Sequence, residues 1–487
     1  MAAGGASDYT TALRPSGERR IKLNVGGKIF ETTASTLRVG GPDSLLSALS
    51  ARSGTVEEDS YEPIFIDRDP DMFSVLLSLL RSGSLPSSGF RRFSKQDLSD
   101  EALYYGIESC IRSALSPPPL LGIDSTLVST LVPAADAVST AFHAGSDDGS
   151  LWIAHGGQIS AYDWNLTHSG TVRTHLDDIT SLRRVWPETA AIGSLETPGL
   201  HYYNVSSGRH VGSINWMDSS DHRVYKARVT AIAAIESGFD GGSGPIFAAF
   251  ECPHRENCIL MIDRSTLQIV SEIGRQPGSS TKTAAPGKLV DLPDVGGGVL
   301  FVSAVSSGAF GYSGYMRLWD PRTGTAVWET NEPGGGTRSD RFGDSFADVD
   351  ADGKEMAIYK VCWKSGDLAI ADMRKLGEDP WMYLEERSAS LRSSGGGQNS
   401  IVHCYKGQVF LSREGGLEVW STAEEEDDQG VKKKIFRRNL VDRPGDARRG
   451  MIRGLEAGGD RLFVSRVGLE GIEVWESSEL SGGIPLL

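Results

Sequence analysis

The stretch EPIFIDRDPDMFSVLLSLLRSG (residues 62–83) joins two different patterns of apolar residues. A short β-branched and aromatic run, typical of a buried strand, comes first: Ile64, Phe65 and Ile66. Apolar residues then follow at the i, i+3, i+4 and i+7 positions of a helix face: Phe73, Leu76, Leu77 and Leu80. The pattern therefore predicts a buried strand followed directly by an amphipathic helix.

The junction between these elements carries four polar or constrained residues. Asp69 can accept hydrogen bonds from the unpaired amides of the new helix, and Pro70 fits its first turn, where a missing N–H costs nothing. Asp67 and Arg68 have no such local role. We therefore expect them to contact something outside this segment.

The neighbouring segments predict a small mixed α/β domain. RIKLNVGGKIFETT (residues 20–33) is typical of a β-hairpin, because Gly26 and Gly27 allow the positive φ angles of a tight turn. One helical stretch is predicted in STLRVGGPDSLLSALSA and another in LSDEALYYGIESCIRSAL. The three prolines of SPPPLLG (residues 116–122) then stop any helix, which makes this run the best domain boundary.

Beyond the prolines, a short pattern recurs in which a turn is followed by alternating apolar residues and then by Asp, Asn or Ser. Consecutive copies are separated by 41, 59, 57, 52, 49 and 56 residues, close to the length of a four-stranded propeller blade. The seven copies are GGQISAYDW, GLHYYNVSSG, CILMIDRSTL, GYMRLWDPRTG, GDLAIADMR, GGLEVWS and EGIEVWES. A closed, seven-bladed all-β propeller fits this repetition better than an open sandwich.

These patterns divide the chain into five segments. We predict a flexible arm at 1–18, the α/β domain at 19–115 and a proline-rich linker leading into the propeller at 116–136. The propeller is predicted at 137–480, and a short tail at 481–487.

The fullest copy of the repeat, RLWDPRTGTAVWE (residues 317–329), gives a physical reason for the pattern. Asp320 can accept backbone amides of the turn, and Gly324 supplies a positive φ before the next strand. The equivalent tryptophans are predicted to pack between sheets, with an aromatic binding site as the alternative: Trp319, Trp420 and Trp475.

Composition is that of a soluble globular protein. The formal net charge of -15 argues against general nucleic-acid binding, and no apolar run approaches the roughly 20 residues of a spanning helix. The start of the sequence lacks an apolar signal-peptide core. Five scattered cysteines without a CxxC pair predict free thiols, so we expect a cytoplasmic or nuclear protein.

Signals for catalysis are weak. There is no GxSxG elbow, no phosphate-binding loop and no GxGxxG motif after a strand. Within CPHRENC, the residues Cys252, His254 and Cys258 could supply three metal ligands, but an ordinary turn fits better because no fourth ligand is evident. We expect no enzyme, no cofactor and no metal.

Two charged stretches admit a functional alternative. In FADVDADGKEM, the residues Asp348, Asp350 and Asp352 resemble the start of a calcium loop, but position 12 is Tyr359 instead of Glu, which favours a surface turn. AEEEDDQGVKKKIFRR is predicted to be an exposed loop whose oppositely charged ends attract each other, with nuclear localisation as the alternative.

Three blocks in the N-terminal region carry a family resemblance. IKLNVGGKIFETTASTL, FIDRDPDMFSVLLSLLRSGSL and LSDEALYYGI together resemble the potassium-channel tetramerisation type of BTB/POZ domain, in that family's order. The second region resembles WD-repeat propellers more loosely, since most copies lack the WD pair. The combination is similar to plant BTB/POZ proteins proposed as substrate adaptors of cullin-3-type ubiquitin ligases.

The resemblance implies a role for the polar junction. In that family the corresponding strand lies near the contact between protomers, which places Asp67, Arg68 and Asp69 at an oligomer interface. The alternative for Asp67 and Arg68 is an ion pair within one chain. Some channel members bind zinc between subunits through a His and Cys cluster, but Cys110 stands alone in this domain, so no interface metal is expected.

For cullin binding, the resemblance points to exposed helix ends and loops on one side of the domain. The matching residues are Leu80, Arg81, Gly83, Tyr104 and Tyr105. The alternative is that these residues pack in the core.

Together these expectations describe a non-catalytic adaptor. The BTB domain would self-associate and bind a cullin-3-type scaffold, while the propeller would hold an unidentified protein substrate, with no nucleic-acid or membrane partner. The alternative is a homo-oligomeric scaffold without a ligase role. An enzyme would instead require convergent titratable groups with perturbed pKa values in the central channel of the propeller.

Overall fold

The protein is described by a computed structural model that separates into two compact units, residues 1–117 and 118–487. The first is described at 20–42, 44–52, 63–83, 85–86, 93, 95–107, 110–111 and 114. The second is described at 120 and 122–477, except 134–137, 147, 165, 219–221, 236–243, 253–255, 277–283, 309–310, 333–344, 364, 378, 385–398, 427–431 and 444–448. The predicted arm (1–18) and tail (481–487) lie outside these residues.

The N-terminal unit is a three-stranded sheet covered on one face by helices. Its strands are β1 (Arg20–Val25), β2 (Lys28–Thr33) and β3 (Ile64–Ile66), and its helices are α1 (Ala34–Arg38), α2 (Leu45–Arg52), α3 (Pro70–Ser82) and α4 (Lys95–Tyr105). Strand β1 is central, antiparallel to β2 and parallel to β3. The hairpin turns at Gly26 and Gly27, with φ of 54° and 90°, as predicted.

The start of α3 follows the sequence prediction. Asp69 is the N-cap, and its Oδ1 accepts hydrogen bonds from the amides of Asp71 (2.7 Å) and Met72 (3.1 Å), while Pro70 opens the helix. The helix ends at Gly83, whose φ of 73° is left-handed. Its apolar face packs into the core of the unit with Leu23 and Tyr105.

Replacing Asp69 by alanine is expected to weaken the start of α3 by about 1 kcal/mol, because two amides lose their acceptor. Hydrogen exchange of the full chain should then be faster in peptides covering the first turns of α3. Asp67→Ala is the matched control, since Asp67 is exposed and does not cap the helix. Equal exchange in the two variants would contradict the capping role.

The first predicted helical stretch is divided in two. Helix α1 ends before Gly40, and Gly41 has a φ of 97°, which a continuous helix does not allow. A Cβ at Gly40 would clash with the side chain of Ile107, because the chain passes close to the core there.

Within the described residues, the C-terminal unit forms seven four-stranded antiparallel sheets, which confirms the predicted propeller. The strands of blades 1 to 3 are β5 (Ala141–Ala144), β6 (Leu151–His155), β7 (Gln158–Tyr162), β8 (His168–Arg173), β9 (Ile179–Trp186), β10 (Thr189–Ser194), β11 (Leu200–Asn204), β12 (Arg209–Ile214), β13 (Arg228–Ala234), β14 (Ile246–Glu251), β15 (Asn257–Ile262) and β16 (Ile269–Gln276).

The strands of blades 4 to 6 are β17 (Lys288–Leu292), β18 (Val299–Gly308), β19 (Gly311–Asp320), β20 (Thr325–Glu332), β21 (Phe346–Asp352), β22 (Ala357–Cys362), β23 (Leu368–Asp372), β24 (Trp381–Tyr383), β25 (Ile401–Tyr405), β26 (Gln408–Arg413), β27 (Gly416–Glu426) and β28 (Lys432–Asp442). Blade 7 contains β29 (Ile452–Gly458), β30 (Arg461–Arg466), β31 (Ile472–Ser477) and β4 (Ser125–Leu131).

The ring of blades is closed by β4, which precedes the other propeller strands in the sequence. Strand β4 pairs with β31 and completes blade 7, so the propeller includes a strand from the segment that we assigned to the linker (116–136). The first strand of each blade is innermost, and each inner strand contacts those of both neighbouring blades. Closure of this kind leaves no sheet edge between the first and last blades.

The repeated turn has the predicted chemistry. Asp320 Oδ1 accepts the amide of Arg322 at 3.0 Å, and Gly324 has a φ of 67°. Asp263 and Asp372 accept equivalent turn amides. The three tryptophans belong to hydrophobic clusters between strands, which confirms the packing interpretation: Trp319, Trp420 and Trp475.

One inner-strand carboxyl is expected to make stability depend on pH. Burial raises the pKa of Asp291, on β17, to about 6, against the weaker opposing effect of Arg264. The pKa of Asp291 is higher in the folded chain than in the unfolded chain. Its contribution to the free energy of unfolding is therefore fully present at pH values below the unfolded-state pKa and is lost as the pH rises through about 6. Asp291→Asn should therefore stabilise the propeller at pH 7 by about 1–2 kcal/mol.

The gain in stability is measured as the difference in thermal midpoint of the propeller transition between Asp291→Asn and the parent, at pH 4 and at pH 7. The difference should be present at pH 7 and nearly absent at pH 4. A difference that is the same at both pH values would contradict the ionisation mechanism.

Candidate functional site

Arg68 has two partners on helix α4 of its own chain. Its guanidinium lies 3.8 Å from the centroid of the Tyr104 ring, and its Nη1 lies 3.6 Å from Oε2 of Glu101. Glu101 is thus the partner in the intrachain ion pair that was the alternative prediction for Arg68, and no sequence pattern indicated it. The side chain of Arg68 is still 40% exposed. It therefore joins a surface that an additional partner can reach.

Glu101 makes this pair unusual among surface ion pairs. Its side chain is only 5% exposed, and burial raises the pKa of its carboxyl while Arg68 opposes the shift. Burial also raises the pKa of the neighbouring Tyr105. Arg68 thus compensates a carboxylate that would otherwise be costly to bury. Asp67 is exposed next to this pair, and Asp69 caps α3.

The residues predicted to contact a cullin do not share one environment. Leu80 and Tyr105 are buried in the core, as the alternative had it. Arg81 is exposed and donates to the carbonyl of Glu31 at 2.7 Å, while Gly83 is the exposed end of α3. Tyr104 is 41% exposed beneath Arg68. Cullin contact by Arg81, Gly83 and Tyr104 stays a prediction.

An apolar row on the outer face of the sheet was not predicted. Asn24 pairs with Ile29 on one side and with Phe65 on the other, so the three residues share one face. Ile29 is 56% exposed and Phe65 is 61% exposed. The prediction that the whole run 64–66 is buried was therefore wrong for Phe65, because the helices in the described part of this unit cover the opposite face of the sheet. Successive side chains of a strand point to opposite faces of the sheet, so this alternation could have predicted that Phe65 differs from Ile64 and Ile66.

The propeller carries a cavity of about 290 Å³ at its centre. It is lined by inner strands of five blades, and its charged lining residues are Arg183, Lys288, Arg453 and Glu456. Oε1 of Glu456 accepts hydrogen bonds from Arg183 at 2.5 Å and from Nδ1 of His143 at 2.7 Å. Although burial opposes ionisation, these two residues lower the pKa of Glu456.

The aspartates that resemble a calcium loop lie on β21 and contact the next blade. Oδ2 of Asp348 accepts the amide of Val402 at 3.0 Å, and Oδ2 of Asp350 accepts the amide of Cys404 at 2.8 Å. Lys288 lies 3.6 Å from Asp348 and 3.5 Å from Asp350. Against the effect of burial, Lys288 and His403 lower the pKa of Asp350 to about 2.

These contacts assign the aspartates to blade packing, so both the calcium loop and the predicted surface turn were wrong for Asp348 and Asp350. Only the last aspartate serves a turn, because Asp352 accepts the amides of Lys354 and Glu355. An enzyme was expected to show carboxyl groups with perturbed pKa values in the central channel. The oxygens of these carboxylates accept hydrogen bonds from amides or pair with cations, as in structural ion pairs. Among the described residues, no group of three or more His, Cys, Asp or Glu could hold a metal ion.

The remaining sequence candidates have structural explanations. The amide of Cys252 donates to the carbonyl of Glu256 at 2.8 Å, while residues 253–255, including His254, lie outside the described residues. All five cysteines are free, and burial raises the pKa of Cys258. Residues 423–426 and 432–438 of the charged stretch belong to β27 and β28, with Glu424 opposite Lys434, so these residues form strands where a loop was predicted, while 427–431 lie outside the described residues.

Comparison with known proteins agrees with this architecture. Residues 21–114 match the BTB/POZ domain family, and residues 133–477 match the family described as At2g24240-like, C-terminal beta propeller. The chain belongs to this propeller family. The resemblance drawn from the sequence and the predicted fold are therefore confirmed.

Related proteins match either nearly the whole chain or a part of it. BTB/POZ domain-containing protein At5g41330 of Arabidopsis thaliana is 32% identical over 470 residues, covering 94% of this chain and 96% of the relative. Human BTB/POZ domain-containing protein KCTD3 is 35% identical over 155 residues, covering 28% and 18%. SH3KBP1-binding protein 1 of Bos taurus is 41% identical over 111 residues, covering 23% and 15%.

A BTB domain joined to a propeller suggests an interaction adaptor. Both are typically non-catalytic modules, and the BTB domain suggests oligomerisation and binding to other proteins. Within the described part of the chain, none of the helices combines the length and apolar character needed to cross a bilayer.

Proposed function

We propose that this protein is a non-catalytic substrate adaptor of a cullin-3-type ubiquitin ligase in the cytoplasm or nucleus. The BTB unit self-associates and binds the cullin, and the propeller binds a protein substrate. The adaptor then acts by proximity, because holding a target near the ligase raises its effective concentration.

The observation that carries this proposal is the outer surface of the BTB unit. It combines exposed apolar side chains, Ile29 and Phe65, with an exposed guanidinium stacked on a tyrosine, Arg68 on Tyr104. Aromatic residues and arginine are enriched where protein interfaces derive their affinity. A relative that is 41% identical to this chain over 111 residues is named as a protein that binds SH3KBP1, which supports a role in protein binding.

Two faces of the BTB unit are assigned different roles in the proposal. The face with Asp67, Arg68 and Phe65 contacts a second copy of the chain. Arg81, Gly83 and Tyr104 contact the cullin. Tyr104 supports Arg68 from below, so it can influence both contacts.

A pull-down of recombinant cullin-3 with the full chain tests the ligase role. The proposal expects retention of the cullin at micromolar concentration by the parent chain. It expects several-fold weaker retention by Tyr104→Ala, since exposed aromatic residues are common hot spots. Tyr225→Ala, which removes an exposed tyrosine of the propeller, is the matched control.

If neither the parent chain nor the Tyr225→Ala control retained cullin-3, the result would favour the homo-oligomeric scaffold without a ligase role. In that case the mass of the chain in solution would still exceed the monomer mass of 52.4 kDa.

A further inference from the structure

We propose that the contact between blades 1 and 2 contains an acid-sensitive latch. A cluster of three neutral histidines holds the connection between β8 and β9 against β11 and β12, and the connection is released when the cluster takes up protons: His175, His201 and His210. This inference goes beyond the proposed function, because the latch requires neither cullin nor a substrate.

The three imidazoles of the histidine cluster come from different elements. His175 lies in the connection (174–178), His201 on β11 and His210 on β12. The ring centroid of His175 is 5.1 Å from that of His201 and 5.2 Å from that of His210, and the last two are 6.0 Å apart. Within the described residues, none of the three pairs with a carboxylate. Two positive charges in the cluster would therefore repel each other without a paired counterion.

Hydrogen bonds fix His201 and His210 in their neutral forms. Nε2 of His201 donates to the carbonyl of Pro198 at 3.0 Å, because a carbonyl oxygen can only accept. Nδ1 of the same ring then accepts the hydroxyl of Ser213 at 2.8 Å. Oγ of Ser213 in turn accepts Nε2–H of His210 at 2.9 Å. A proton on Nδ1 of His201 would place two N–H donors against Oγ and deprive the hydroxyl of its acceptor.

The connection itself is held by His175 in the same way. Oη of Tyr203 accepts the amide of His175 at 3.2 Å and is also hydrogen-bonded to Nδ1 of that residue. The hydroxyl has one proton to donate, and Nδ1 of a neutral His175 is its acceptor. Tyr203 and Leu176 are buried in the apolar cluster between blades 1 and 2. Protonation of Nδ1 therefore removes a bond that ties the connection to this contact.

The charged residues of the surrounding segments do not offset a charge on the histidine cluster. Asp177, in the same connection, accepts the hydroxyls of Ser194 and Thr197. Glu188, directly before β10, accepts the side-chain amide of Asn204 at 3.3 Å. Strand β10 places an alanine and an isoleucine opposite the cluster side of β11. Two exposed arginines adjoin the cluster in the sequence and add positive charge: Arg173 and Arg209.

The direction of the pH effect follows from the surroundings of the rings. Burial lowers the pKa of His201 to about 4, against the effect of Pro198, and His175 and His210 lower it further. Burial and His175 also lower the pKa of His210. A released His201 regains the ordinary pKa of 6.5, so the latch is fully closed above pH 6.5 and weakens as the pH falls toward 4.

Hydrogen exchange of the full chain at pH 7.5 and pH 5, corrected for the intrinsic exchange rates, tests the latch. For His201 alone, the two pKa values shift the opening equilibrium on the order of 30-fold between these conditions. Peptides covering 174–178 should therefore lose protection more than about tenfold at pH 5, while peptides of β22 in blade 5 keep theirs. His201→Gln should remove most of this pH dependence, because glutamine does not take up a proton.

A second variant keeps the test decisive if His201→Gln does not fold. His175→Asn combined with His210→Gln replaces two exposed side chains and should reduce the loss of protection to a few-fold, since two of the three proton sites are gone. His168→Gln is the matched control. His168 is exposed on β8, bonds to Thr171 at 2.9 Å and lies outside the cluster, so this variant should respond as the parent does.

Equal protection of 174–178 at the two pH values in the parent would overturn the inference. A response like that of the parent in His201→Gln or in the double variant would also overturn it. If β22 lost protection together with 174–178, acid would be unfolding the whole propeller, and a local latch between blades 1 and 2 would be wrong.

Discussion

Replacing Arg466 by methionine is expected to destabilise the propeller by about 3–5 kcal/mol. Arg466 is fully buried at the end of β30 and donates to Glu473 at 3.0 Å and to Asp442 at 2.8 Å. It also donates to the carbonyls of Gly415 in blade 6 and Gly450. The substitution removes the cation that pairs with the buried carboxylate of Glu473, leaves Asp442 with the more distant Arg449 at 3.7 Å, and removes a link between neighbouring blades.

The measurement is the midpoint of chemical unfolding of the propeller. Arg374→Met is the control, since Arg374 is 65% exposed on a turn and its ion pair with Asp372 should contribute little. Adding Glu473→Gln and Asp442→Asn to Arg466→Met should recover part of the loss, because the uncompensated charges are removed. A midpoint within error of the parent would show that Arg466 does not hold the blades together.

Changing Phe65 to aspartate is expected to convert the oligomer that we propose for the full chain into a monomer. The side chain projects from the edge strand β3 and is 61% exposed, so the substitution should leave the fold of the unit intact. A second copy that covers Phe65 would bury an aspartate placed there, and burying an unpaired carboxylate is strongly unfavourable.

Light-scattering mass at several concentrations measures this effect. Val327→Asp is the matched control, because Val327 is 58% exposed on an outer strand of the propeller. Arg68→Ala should weaken association less than Phe65→Asp, since Arg68 already has partners in its own chain. If Phe65→Asp retained the parent mass, the oligomer contact would have to lie elsewhere on the BTB unit.

Features set by neighbouring residues could be predicted from the sequence. The capping of α3 by Asp69, the hairpin at Gly26 and Gly27, and the turn at Asp320 each depend on a few adjacent positions. The seven-fold repetition predicted the propeller for a similar reason, because each copy has the same local requirements.

Features set by distant pairing could not be predicted. Asp350 lies 54 residues from Cys404, and only the closed ring shows that its carboxylate binds the next blade instead of calcium. Arg68 meets Glu101 because α4 packs beside the start of α3. The exposure of Phe65 depends on which face of the sheet the helices cover, and the apolar run alone does not contain that information.

The most direct test of the account is the mass of the full chain mixed with recombinant cullin-3, measured by native mass spectrometry. The account predicts an oligomer of the 52.4 kDa chain that carries cullin, and dissociation of that oligomer by Phe65→Asp. A chain that remains a monomer and binds no cullin would contradict it.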